Sequence, residues 1–393
     1  MEIGYTAPDD VRAVIGSMGR TEDVRFSPGN RRLAIAAFNR ARIIVLDVAI
    51  AGGRATEVTL TGVAEISSPV LNYPHGLDFL DEERLVVANR GGGVAVFQLP
   101  PSGVNRENAS PLCLLGGDES SFVRSPGSVS VIGESASRRE LLVCDNAGHN
   151  VTRHAVDSTA GCSIERGGIL LRKWLNLPDG ICVSRDSRWI AVSNHNTHDV
   201  LIYRNAPALD EQSDPVGALR GAYYPHGLRF SADSRHIFVA DAGAPYVHIY
   251  AADGQSWAGA RVPARSVRIM DDALFMRGRQ NPQEGGPKGI DLDAGMRILA
   301  ATSEHQPLAM FDLQRILGDM PPSPPAQDIE YELGILAHAD RLRTRLAEEQ
   351  DRAARAEARV AKAKARLTSA KKRNPWRIAA PLGRIFSALK RAN

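Results

Sequence analysis

The chain has 393 residues, 48 Lys/Arg against 45 Asp/Glu, and no run of ~18 apolar residues that would read as a spanning helix. Its first residues, Met1-Glu2-Ile3-Gly4-Tyr5, lack the basic head and apolar core of a secretory signal. Four cysteines without CxxC spacing (Cys113, Cys144, Cys162, Cys182) therefore read as small core residues in a reducing cytoplasm.

The first apolar stretch, Val11–Ile15, is long enough for one short strand. From residue 20 a phrase then recurs six times at a spacing of roughly 50 residues, the mark of a repeat architecture. Two copies are nearly identical, Pro74-His75-Gly76-Leu77-Asp78-Phe79 and Pro225-His226-Gly227-Leu228-Arg229-Phe230. Weaker copies start at Glu22-Asp23-Val24, Pro126-Gly127-Ser128, Pro178-Asp179-Gly180 and Pro287-Lys288-Gly289. Each leads through a polar turn such as Ser231-Ala232-Asp233-Ser234 into a run with period-two alternation, such as Ile237–Asp241, and then a second, such as Val247–Tyr250. A further apolar run upstream of the phrase, Leu112–Leu115 or Ile169–Leu171, completes four strands. Six such units bury their faces against one another when arranged radially, so the fold class is all-β, a six-bladed β-propeller over residues 1–317. Blade six ends after about three strands (Gly289–Phe311), so Val11–Ile15 is expected to supply the fourth and close the ring.

Pro321-Pro322-Ser323-Pro324-Pro325 can continue neither strand nor helix and marks a stiff linker over 318–327. Residues 328–373 lack proline and carry a heptad seam from Ile335, Ala339 and Leu342 through Leu367 and Ala370, predicting an α-helical coiled coil roughly 65–70 Å long. Homo-oligomerisation through this helix is expected, although Ala and Arg favour helix without a partner. Residues 374–393 form a short basic amphipathic helix. Leu382, Ile385, Phe386 and Leu389 share one face, with Trp376, Arg377, Arg384, Lys390 and Arg391 around it. Residues 341–393 hold 16 Lys/Arg against 4 Asp/Glu, while the remainder holds 32 against 41. A basic tail with Trp and Phe anchors predicts docking on an anionic membrane surface. Nucleic acid is disfavoured, because the aromatics lie among aliphatics rather than in a stacking platform.

The pattern Pro-x-Gly-Leu/Ile, Val-Ala-Asp/Asn, five residues, Val-x-Ile-Tyr resembles the NHL-type repeat, over about residues 10–315. Similar propellers include gluconolactonase-like enzymes, peptidyl-amidoglycolate lyases and many domains that only bind partners. The ending Asn374-Pro375-Trp376-Arg377-Ile378-Ala379-Ala380-Pro381-Leu382 resembles the C-termini of bacterial enzymes of surface-polysaccharide assembly. That resemblance implies a setting at the cytoplasmic face of the inner membrane and a glycan-assembly enzyme as protein partner.

In such propellers the residue between Pro and Gly points towards the central tunnel. Those positions read Glu22, His75, Gly127, Asp179, His226 and Lys288. Opposed across the axis, Glu22 with Asp179 and His75 with His226 offer two carboxylates and two imidazoles. These could hold one divalent ion, Zn²⁺ or Ca²⁺, or act as acid and base. The next turn of each blade opens on the same rim. It brings Asn89, Asp145, His149, Asn194, His195, His198, Asp241 and His305, with Lys288 in the tunnel. From these, Asn89, Asp145, Asn194, Asp241 and Lys288 are the expected ligand-binding residues, although Asp or Asn at a strand end also readily bonds its own turn. Two readings follow. One is a non-catalytic propeller scaffold in surface-polysaccharide biosynthesis, favoured by the tail. The other is a metal-dependent lactonase-type hydrolase or lyase using the tunnel rim, favoured by the histidines.

Overall fold

The computed structural model describes residues 2–324 apart from 53–55, 117–121, 134–137, 159–160 and 319, and beyond them Val360. The expected coiled coil and basic helix, with Trp376, Arg377, Leu382, Arg384, Ile385, Phe386, Leu389, Lys390 and Arg391, lie outside the described residues.

Six sheets follow one another along the chain, each starting at or just after a copy of the repeated phrase and antiparallel apart from two outer pairings, Tyr5–Thr6 with Thr56–Ser67 and Gly217–Leu219 with Gly259–Arg261. Their innermost strands begin at Thr21–Phe26, Pro74–Phe79, Pro126–Ile132, Pro178–Val183, Pro225–Phe230 and Ile290–Leu292 for blades 1 to 6. In blade 2, Pro74–Phe79 pairs with Arg84–Asn89, then Val94–Gln98, then Cys113–Leu115, the order the sequence predicts. Each of the six blade interfaces holds its own apolar cluster. Leu142, Ile190 and Tyr203 fill that between blades 3 and 4, and Phe238, Leu299 and Phe311 that between 5 and 6. A ring of six such contacts has no end, so no blade leaves an apolar face in water.

The ring is closed by an N-terminal segment, but not the expected one. Glu2–Ile3 pairs antiparallel with Ala309–Asp312, Glu2 opposite Phe311 and Ile3 opposite Met310. Val11–Ile15 belongs instead to a helix, Asp9–Ser17. The reason is legible afterwards: Val11 and Ile15 are four apart, and Asp9 and Asp10 occupy the first turn, where acidic charge suits the helix dipole. The helix lays Val11 and Ile15 into the apolar cluster between blades 6 and 1, against residues such as Ile298 and Met310.

Two more sequence expectations change. Cys113 and Cys162 form a disulfide with Cα atoms 5.5 Å apart, joining the outer edges of blades 2 and 3, while Cys144 and Cys182 are free and buried. The cysteines as a set therefore give no argument for a reducing compartment. Part of the Pro-rich linker is also docked: Ser323 Oγ accepts from Ala251 N at 2.8 Å, and Pro324 O from Val262 N at 3.1 Å.

The repeated phrase has a structural cause. In blades 1 to 5 the innermost strand slips register across the phrase, as between Pro74 and Leu77 or Pro225 and Leu228. A bulge adds one residue and re-aims a side chain, so the residue after Pro turns onto the axis. The glycine that follows lies against the next blade. A Cβ on Gly180 would come 2.2 Å from His226 O, so no larger residue fits there.

Candidate functional site

The bulges bring Glu22, His75, Asp179 and His226 together in the tunnel, where Lys288 joins them from the segment before Ile290–Leu292, all 1–3% exposed. The sixth place falls to Gly127, which contributes no side chain. His75 and His226 stack with ring centroids 5.2 Å apart. His75 Nε2 and His226 Nε2 each lie 3.5 Å from Glu22 Oε2, and His226 Nε2 lies 3.1 Å from Asp179 Oδ2. His195, named in the sequence only as a rim residue, belongs to the same cluster, its Nε2 3.5 Å from Asp179 Oδ2.

Both carboxylates are held by one oxygen and bare at the other. Arg20 pairs with Glu22 Oε1, and Arg90 with Asp179 Oδ1, to which Asn146 Nδ2 also donates at 3.5 Å. Glu22 Oε2, Asp179 Oδ2 and His195 Nε2 are buried without a hydrogen-bond partner. Burying a polar atom bare costs of the order of 1–3 kcal/mol or more, so these three atoms call for an explanation. They fall in two triads of potential ligands, Glu22 with His75 and His226, and Asp179 with His195 and His226. Two ligands on one zinc ion at ~2.1 Å stand about 3.0–3.4 Å apart, close to the separations across this cluster.

The electrostatics suit an ion. Burial, aided by Arg90, drives the His75 imidazole down from its ordinary 6.5 to about 3, and burial with Lys288 does the same to His226. Burial likewise lowers His195. All three are neutral at pH 7, with lone pairs to give. The His75 tautomer is set by its Nδ1–H, which donates to Gly127 O at 2.7 Å and turns Nε2 inward. Burial alone would raise the Asp179 carboxyl, but His226 and His75 when protonated, and Arg90 throughout, hold it well below the usual carboxylate range. One feature opposes ligation. Arg90 Nη2 donates to His75 Nε2 at 2.9 Å, so His75 can ligate only when Arg90 yields that contact.

Lys288 pairs with Glu284 and stands 3.7 Å from Glu22 Oε2. Glu284 comes from the loop after the helix Asp272–Gly278. Burial would raise its carboxyl, yet Lys288, with His226 and His195 when these are protonated, keeps it below the ordinary range.

A second tier lies below the first. Because a bulge adds a residue, the side chains three positions on also face the axis: Arg25, Asp78, Ser130, Cys182, Arg229 and Asp291. Here every charge is answered. Arg229 reaches Asp23 and Asp291, both at 3.1 Å, and Arg25 lies 3.6 Å from both Asp78 and Asp291. Asp23, Asp78 and Asp291 also accept from backbone N–H groups of the neighbouring blade, at Leu77, Val131 and Phe26. Between the tiers the tunnel narrows to a cavity of ≈ 10 Å³, the space of about one water.

Four of the five expected ligand-binding residues do another job. Asn89, Asp145, Asn194 and Asp241 are buried and anchor the loop entering their own blade. Asp241 accepts from Tyr223 N and Tyr224 N at 2.7 and 2.8 Å, Asp145 from Ser125 N at 2.7 Å, Asn194 from Asn176 N at 3.1 Å, and Asn89 from Asn72 N at 3.3 Å. These polar groups are hydrogen-bonded to backbone, and Lys288 alone of the five lies in the axial cluster. Nor do the other rim histidines join the cluster: His149 Nδ1 accepts from Leu177 N, and His305 faces Arg277 O.

No family model matches the chain, and no curated protein sequence matches it. Among solved structures it is similar to a luciferin-regenerating enzyme, with a TM-score of 0.45 and 11% identity over 75% of this chain and 87% of that one. It is also similar to two proteins assigned as 6-phosphogluconolactonases. For that of Bacteroides uniformis the TM-score is 0.49 at 10% identity, and for that of Bacteroides fragilis 0.46 at 12%; each covers 76% of this chain and 82% of that one. At such identities the likeness is one of fold. The chain is a six-bladed propeller with a buried histidine–carboxylate cluster on its axis.

Proposed function

We propose that the protein is a metal-dependent hydrolase of the lactonase type, its divalent ion held by Asp179, His195 and His226, with Glu22 and His75 forming a second triad that shares His226. The observation that carries this reading is the buried triad Asp179, His195 and His226, in which Asp179 Oδ2 and His195 Nε2 have no hydrogen-bond partner, beside a second triad of Glu22, His75 and His226. When bound, such an ion supplies Lewis acidity and a water acidified towards neutrality. The chain's own groups do the rest. Arg20 and Arg90 fix the carboxylates through their outer oxygens, and Lys288 balances Glu22 and Glu284. The scaffold role, with its membrane surface, glycan-assembly partner and oligomer, is drawn from residues beyond 324 and has no counterpart among the described residues.

The test is elemental analysis of purified protein, wild type against His226→Ala, followed by a pH-stat screen of lactones. Roughly one equivalent of Zn²⁺ or Ca²⁺ in the wild type, lost in the variant together with lactone hydrolysis, is expected. No metal in either protein after incubation with both ions sinks the reading.

A further inference from the structure

We infer that the mouth of the tunnel carries a subsite for the ring of an aromatic lactone, formed by Tyr73 and Phe38, with Arg90 Nη1 as the donor to the substrate's carbonyl oxygen. Three observations on one side of the tunnel lead there. First, Tyr73 is 50% exposed although it immediately precedes the Pro74-His75-Gly76 phrase, so a large aromatic face stands in water beside the buried cluster. A positive φ is found at Leu177 too, the equivalent residue of blade 4, so that backbone conformation is not peculiar to Tyr73, whereas the exposed ring is.

Second, that ring continues into the site. Tyr73 lies 5.0 Å from Phe38, and Phe38 meets His75 edge-on at 6.0 Å, which sets an aromatic surface against one wall of the cluster. Arg20 covers Phe38 from above at 4.6 Å, leaving Tyr73 as the open end. Offset or edge-on contact with such a surface favours a planar ring in the ligand.

Third, Arg90 Nη1 is buried with no hydrogen-bond partner, while its Nη2 is committed to Asp179 and His75. Blade 3 makes room for it by offering Gly127 where the other blades offer a side chain. Nη1 lies 3.3 Å from the place a Cβ would take there. Arg90 follows Tyr73 closely in space, its N–H bonding Tyr73 O at 2.9 Å, so one loop pair positions both the ring platform and the donor.

This inference rests on the hydrolase reading for its reaction, though not for its binding test. In the reaction, the oxygen of a water bonds to the acyl carbon and the ring C–O bond breaks. One proton of that water ends on the leaving phenolic oxygen, and the other is lost to leave a carboxylate. Arg90 Nη1 would meet first the carbonyl oxygen and then the carboxylate.

The experiment uses the full chain and three small molecules: dihydrocoumarin, δ-valerolactone and 3-(2-hydroxyphenyl)propionate, the product of the first. The ratio of kcat/KM for dihydrocoumarin over δ-valerolactone is expected to fall about tenfold in Tyr73→Ala and to be restored in Tyr73→Phe. By calorimetry, the product should bind the wild type and bind about tenfold more weakly to Tyr73→Ala and Arg90→Gln. If neither lactone turns over but the product binds with this pattern, the subsite stands and the hydrolase reading falls. If lactones turn over with an unchanged ratio, or the product binds all variants alike or none, the subsite is overturned.

Discussion

The two tiers of the tunnel are built from the same kinds of residue and behave oppositely. In the lower tier Arg25 and Arg229 meet Asp23, Asp78 and Asp291, and the three aspartates also take N–H bonds from adjoining blades. In the upper tier Glu22, Asp179 and His195 each keep an atom bare. A buried charge that is fully paired and bonded to backbone is a fastener, whereas one left half-satisfied is a receptor. The ring can hold an incomplete cluster on its axis because the tier below ties the blades together.

The comparison breaks most sharply at Arg229. Replacing it by Met leaves Asp23 and Asp291 buried without their shared cation, and urea unfolding should show a loss of about 3–5 kcal/mol. The same measurement on His226→Ala should show a much smaller change while its metal disappears; equal losses in the two variants would erase the distinction between tiers.

Gly127→Ala acts on the upper tier from behind. Its Cβ would stand 2.7 Å from Asp179 Oδ1 and 3.0 Å from Asp179 O, against the Arg90 clamp. Expected are about 1–3 kcal/mol of lost stability and a roughly 10–100-fold weaker metal, read by competition with a chromogenic chelator. Asn89→Ala, by contrast, removes loop anchors to Asn72 N and Gly93 O and should cost about 1–2 kcal/mol with metal content unchanged. A metal-depleted but fully stable Asn89→Ala protein would restore the ligand role the sequence suggested.

The smallest effect is in pH, and the tiers oppose one another there. In metal-free protein, His75 and His226 have folded pKa values near 3 against 6.5 unfolded, owing first to burial. The folded state then binds fewer protons, so their contribution is complete above pH 6.5 and is lost as pH falls towards 3. Burial raises Asp78 and Asp23 to about 6 and Asp291 to about 7 from 3.8, so these favour the folded state increasingly as pH falls from 7 towards 4. The wild-type melting temperature should therefore change little between pH 7 and 5. His75→Gln/His226→Gln should melt higher at pH 5 than at 7, and Asp78→Asn should melt lower; the same slope in all three proteins would refute the assignment.

The sequence by itself determined the six repeats, their four-stranded units and the side chains aimed at the axis, since a bulged Pro-x-Gly needs its own residues at its own spacing. Glu22, His75, Asp179, His226 and Lys288 were legible for that reason. The lower tier was not read from the sequence, because its place three residues further on follows from the extra residue of the bulge, which only the strand register shows. Which polar residues stay free was not legible. Asn89, Asp145, Asn194 and Asp241 look as available as His195 in the sequence, and only the path of the incoming loops spends the first four and leaves the fifth bare. Arg20, Arg90 and Glu284 reach the cluster from loops whose course no local pattern records. The closing strand was decided in the same way. Glu2–Ile3 is too short to carry a strand signal, and it becomes one because the open edge at Ala309–Asp312 offers it backbone partners.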